Sequence, residues 1–149
     1  MQHILSVVLF TPLVGFLVLL CIPSSKPRAI NLWANVASFA GFLVCLPLVT
    51  GFDRSKDFQF AEKANWIPSI GASYNLAIDG YSLLLVVLTG LLGFLSILAS
   101  WKAINTRLKE YYGCFLLLQV GMMGVFMALD FLLFFVFWEL VLVPMYFII

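Results

Sequence analysis

The chain has 149 residues, 64% of them hydrophobic and only 10% charged, with a formal net charge of +1. Its mean hydropathy is +1.11. A typical globular protein is about 45–50% apolar and about 25% charged, so a water-soluble core is excluded by the apolar surface it would have to hide. The near-neutral charge gives no footing for a nucleic-acid partner. What remains is an integral membrane protein in contact with lipid.

Five apolar stretches follow in order: 4–22, 29–50, 82–100, 111–129 and 131–149. Each holds 19 to 22 residues, enough for a helix to cross a hydrocarbon core of about 30 Å. The first lacks a basic start and a small-residue cleavage site, so it is expected to be a retained helix rather than a signal peptide. The last two are separated only by Asp130. Read as one helix they would be about 58 Å long, too long for a single crossing, so Asp130 marks a tight turn, with Ala128 and Leu129 available to it. The expected fold class is all-α and polytopic, a single membrane domain over 1–149.

The loop 51–81 is the only sizeable piece outside the membrane. Tyr74, Leu76 and Ile78 alternate with Asn75, Ala77 and Asp79, which predicts a short strand. Trp66-Ile67-Pro68 is its expected partner across Ser69–Ser73, giving a β-hairpin. Asp79 is placed to cap the third helix. Lys26, Arg28, Lys102, Arg107 and Lys109 lie in loops on one side, against Arg54, Lys56 and Lys63 on the other. This bias puts the N-terminus outside and Ile149 toward the cytoplasm.

Small residues spaced by three, Gly90, Gly93 and Ser96, then Gly121 and Gly124, predict close helix packing. Asn31, Asn35 and Ser38 share one face of the second helix. Gln119 is expected to hydrogen-bond between helices. Cys21, Cys45 and Cys114 and the methionines are assigned to packing. Neither metal-ligand spacing nor a haem motif is present, and no cofactor-binding or catalytic redox residue is expected in this chain.

Glu139 is the candidate functional residue. It is the only charge in FLLFFVFWELVLVPMYFII, and a charge at the bilayer centre costs about 2.5–3.5 kcal/mol on insertion scales. Counted from Asp130 it lies about 13 Å into the helix, near the midplane. Pro144 follows, and its ring removes the bond to the carbonyl of Leu140, so a bend or loosening is expected there. Phe135, Glu139, Leu142 and Tyr146 share a face. Such an acid handles protons, ions or a buried partner, with Trp138, Pro144 and Tyr146 as supporting residues. The bland alternative is a neutral acid hydrogen-bonded to a neighbouring helix.

The string from Asp130 to Tyr146, with its W-E-x-x-L-x-P-M-Y core, resembles the fifth transmembrane helix of a specific family. That family is the antiporter-like subunit M, or chain 4 type, of proton-pumping NADH–quinone oxidoreductase, respiratory complex I. Trp66-Ile67-Pro68 with Tyr74–Gly80 resembles the external hairpin before that family's third helix. The resemblance implies the N-terminal part of a fourteen-helix fold built on two inverted repeats of five. It implies proton transfer by Glu139, which would pair with a lysine on a later, broken helix, at the junction with a neighbouring antiporter-like subunit. Quinone reduction elsewhere in the complex would drive protons across the membrane, with NADH, FMN, iron–sulfur clusters and quinone held by other subunits. A bacterial cytoplasmic membrane is the expected location. Related subunits occur in membrane-bound hydrogenases and multisubunit sodium/proton antiporters, which are the alternative settings. The later lysines are absent from these 149 residues, so a truncated scaffold chain is a further alternative.

Overall fold

A computed structural model describes residues 3–104 and 106–149. It contains five helices: α1 (Ile4–Cys21), α2 (Pro27–Thr50), α3 (Gly80–Ala99), α4 (Leu108–Met127) and α5 (Phe131–Ile148). Between α2 and α3 lie two strands, β1 (Gln59–Ile67) and β2 (Ala72–Ile78), paired antiparallel. All five helices are long and apolar enough to cross a membrane.

Several helix ends differ from the sequence expectation by one to three residues, α3 for instance starting at Gly80 rather than Ser82. α2 starts at Pro27 rather than Ala29, because proline lacks the donor that a first helical residue leaves unused anyway. α4 starts at Leu108 rather than Tyr111, so its first turn includes charged Lys109 and Glu110. At its other end α4 stops at Met127 rather than Leu129. There Ala128 turns extended and bridges to Leu76 of β2, while the Leu129 N–H donates to the Asn75 carbonyl at 2.9 Å. The hairpin thus holds the turn between α4 and α5.

The hairpin itself is longer than expected. β1 runs back to Gln59, and Pro68 belongs to the connecting 3-10 turn, Pro68–Ile70, not to the strand. Gly71 follows at φ 71°, a left-handed position that favours glycine. Two irregularities in the pairing, between Gln59 and Glu62 and between Asn65 and Ile67, obscure the alternation in β1.

α4 is the central helix, packed against the other four. Half of its spanning window is buried, against 17% for α5. Glycine makes the α4–α5 contact possible: a Cβ at Gly121 would lie 2.7 Å from Cγ2 of Val141, and one at Gly124 would overlap the Phe137 ring. α1 joins α2 through the Trp33 indole, which donates to the Gly15 carbonyl at 2.9 Å. Lys109 of α4 donates to the Leu20 carbonyl at 2.6 Å, placing a cation at the negative end of α1. A core of Leu5, Val8, Leu9, Val86, Met123 and Met127 fills the hairpin half of the bundle. A second cluster, around Tyr112 and Leu116, fills the opposite half.

Candidate functional site

Glu139 lies eight residues past the start of α5, about 12 Å along the axis, close to the middle of the span. α5 continues through Pro144 to Ile148 as helix. The face of α5 toward α4 carries Leu133, Phe137 and Pro144, all buried. Glu139 lies on the opposite face and is exposed, along with Phe135, Leu142 and Tyr146. The expectation of a buried acid is thereby corrected. The acid is not packed within these five helices, because the glycine-mediated contact with α4 uses the other side of α5. The described ion pairs, His3–Glu62, Lys56–Asp53 and Arg107–Glu110, leave Glu139 out.

Of the three supporting residues, Tyr146 shares the exposed face with the acid, as its spacing predicts. Trp138 is also exposed and stacks on Phe134, with ring centroids 5.9 Å apart. Pro144 does not face Glu139. It lines a cavity of about 750 Å³ on the α1–α4 side, with Phe16, Leu117, Leu140 and Val143.

A second set of carboxylates gathers on the hairpin side, where α1, α3 and α5 all begin. A helix start leaves four N–H groups without partners and carries partial positive charge. Each of the three starts receives a carboxylate. Glu62 of β1 is buried and accepts from the Leu5 N–H at 2.7 Å and from the Ser6 N–H at 3.2 Å, and also from the Ser6 hydroxyl. That hydroxyl also meets the Tyr74 hydroxyl of β2 at 2.8 Å. Asp79 accepts from the Ser82 N–H at 2.7 Å, the expected cap of α3, and this bond holds its carboxyl below the usual range. Asp130 accepts from the Leu132 and Leu133 N–H groups at 3.0 and 3.2 Å. It also accepts from the Ser73 N–H and hydroxyl of β2, each at 3.0 Å. The Leu133 bond foremost, then the one from Ser73, lowers its pKa. Asp130 is thus the expected turn residue and also a clamp on the hairpin.

Glu62 escaped the sequence reading, which gave it no structural role. The available signal was at α1, whose start offers no Ser, Thr, Asn or Asp cap. His3 stands there in the left-handed region with no side-chain bond to the helix, so the cap has to come from elsewhere in the chain.

Comparison with known proteins places this architecture. A family model described as NADH-ubiquinone oxidoreductase chain 4, amino terminus, matches residues 5–135. The chain is 42% identical to NADH-quinone oxidoreductase subunit M of Rhodobacter capsulatus, covering 100% of this chain and 30% of that one. It is 41% identical to NADH-ubiquinone oxidoreductase chain 4 of Chondrus crispus, covering 93% of this chain and 28% of that one. Among solved structures, a chain of the membrane-bound sulfane sulfur reductase, an archaeal respiratory membrane complex, matches with a TM-score of 0.66 at 18% identity. That match covers 95% of this chain and 22% of the other. The sequence therefore spans about three-tenths of the length of the curated relatives it matches. Five apolar helices, a two-stranded hairpin and a family match over most of the chain lead to one assignment: this integral membrane protein belongs to the NADH-ubiquinone oxidoreductase chain 4 family, in its amino-terminal region.

Proposed function

We propose that this chain forms part of a proton-translocating membrane-arm subunit of an NADH–quinone oxidoreductase, with Glu139 as its proton-carrying acid. One observation carries the reading: Glu139 stands at mid-membrane depth on a face of α5 that the other four helices leave uncovered. A carboxylate there is costly, and this packing supports an acid presented to a partner beyond the five helices. That partner is a cationic side chain from later helices or a neighbouring membrane-arm subunit. Trp138 and Tyr146 flank it, and Pro144 shapes the helix from behind. NADH, flavin, iron–sulfur clusters and quinone belong to other subunits. The loop charges support an orientation with the hairpin outside, and a bacterial cytoplasmic membrane is the proposed location.

The test is proton uptake by membrane vesicles energised with NADH, comparing wild type with Glu139→Gln. The expected result is loss of uptake with assembly and NADH oxidation retained. Unchanged uptake would demote Glu139 to packing. Uptake driven by a sodium gradient and indifferent to NADH would move the assignment to an antiporter.

A further inference from the structure

Six side-chain polar atoms are buried with no hydrogen-bond partner among the described residues. They are Asn31 Oδ1, Asn35 Oδ1, Ser38 Oγ, the Tyr112 hydroxyl, and both amide atoms of Gln119. All sit on α2 and α4. Buried polar groups are normally paired, and each exception calls for a cause.

Their positions match between the two helices. Both helices start on the side opposite the hairpin and run toward it. Asn31 and Tyr112 each lie four residues past their helix starts, and Ser38 and Gln119 each lie eleven past. The two levels are therefore about 6 and about 16 Å from that end, with Asn35 between them. The spacing 31, 35, 38 keeps one face of α2, and 112, 119 keeps one face of α4. Tyr112 packs in the cluster that contains Ile30, Ala34 and Ala37 of α2. A Cβ at Gly41 of α2 would lie 3.5 Å from Gln119 Nε2. On its other side Gln119 meets α3 at Gly93, where a Cβ would lie 2.9 Å from Gln119 Cδ. Beside it is an open groove of about 220 Å³ lined by Thr89, Gly93 and Ser96 and by the exposed Leu88 and Leu92.

An unpaired buried polar group loses its hydration without replacement and destabilises the fold. The remedy has to be small, because these atoms have almost no accessible surface within the five helices. Water fits: a buried water makes about three hydrogen bonds and takes up about 30 Å³. Amides and hydroxyls both donate and accept, so a chain of waters can be continuous along these side chains. We propose that Asn31, Asn35 and Ser38 of α2, with Tyr112 and Gln119 of α4, hold a file of bound water. It runs from the surface opposite the hairpin to the middle of the bundle. Glu139 takes no part, so this site stands or falls separately from the proton-carrying role.

The test is hydroxyl-radical footprinting by X-ray radiolysis in H₂¹⁸O, on the full subunit in its native membrane assembly. Water activated in place oxidises the side chain beside it. Tyr112 is fully buried, so radicals from bulk solvent do not reach it. The expected result is oxygen incorporation at Tyr112 at a rate near that of the same peptide in the unfolded chain, falling several-fold in Gln119→Leu and in Asn35→Leu. Should those variants fail to assemble, Ser38→Ala removes one hydroxyl at little change in volume and is expected to lower the rate as well. Protection of Tyr112 in the wild type overturns the proposal, as does equal labelling in every assembled variant.

Discussion

Glu62 and Glu139 are the same side chain in opposite circumstances. Glu62 lies outside the membrane, in a loop full of other charges, yet it is buried and surrounded by donors from the start of α1. Glu139 lies about half-way along an apolar helix, yet it is exposed on the surface of the five-helix unit. The first is a carboxylate whose neighbours explain it: it completes a helix and ties α1 to the hairpin. The second has no such explanation within these helices, and its cost is what motivates the proposed transport role. Depth in the membrane and burial in protein are therefore separate quantities, and the proposed function rests on the first.

The largest expected effect is on transport. Glu139→Gln should abolish NADH-driven proton uptake, while Glu139→Asp, which keeps a titratable group, should retain part of it; vesicle assays of both variants check this. Next comes Glu62→Leu, which strips the partners from the Leu5 and Ser6 N–H groups. Hydrogen bonds to a charged group are worth about 1.5–3 kcal/mol, and a loss of stability in that range is expected in thermal unfolding of the detergent-solubilised assembly. Gly124→Ala should cost about 1–3 kcal/mol by overpacking against the Phe137 ring, with loosened α5 seen as faster proteolysis near the α4–α5 turn.

The smallest effect is on pH dependence. Asp79 and Asp130 are held below the usual carboxylate range by helix N–H groups, those of Ser82 and Leu133 foremost. A lowered folded-state pKa contributes stability that is present above the unfolded value, about 3.9, and is lost as pH falls through the folded one. The melting temperature should therefore decline on acidification below about pH 4, and Asp130→Asn should flatten that decline. A decline unchanged in Asp79→Asn and Asp130→Asn would remove these two caps from the account.

The five spans were legible because length and composition decide them. Their ends were less so: Pro27 and the charged first turn of α4 extend helices beyond the apolar run. β2 was legible by alternation, whereas β1 was hidden by its bulges and its inward acid. The cap that Glu62 supplies spans 57 positions of sequence, and no local pattern signals it. For Glu139 the position along α5 followed from counting past Asp130, but the facing did not. Both sides of α5 are apolar, so the sequence carries no polar stripe to orient the helix. The small residues that orient it, Gly121 and Gly124, lie on α4. Gln119 was expected to bond between helices. It does lie between α2, α3 and α4, but its amide finds no protein partner among the described residues.

The most direct test of the contrast is a paired measurement on Glu139→Gln and Glu62→Gln in the same membrane preparation. It would record proton uptake per NADH oxidised and the melting temperature of the assembly. The account predicts that Glu139→Gln loses uptake at an unchanged melting temperature, and that Glu62→Gln melts lower while its uptake per NADH is preserved. Full uptake in Glu139→Gln, or loss of uptake in a stable Glu62→Gln assembly, would contradict it.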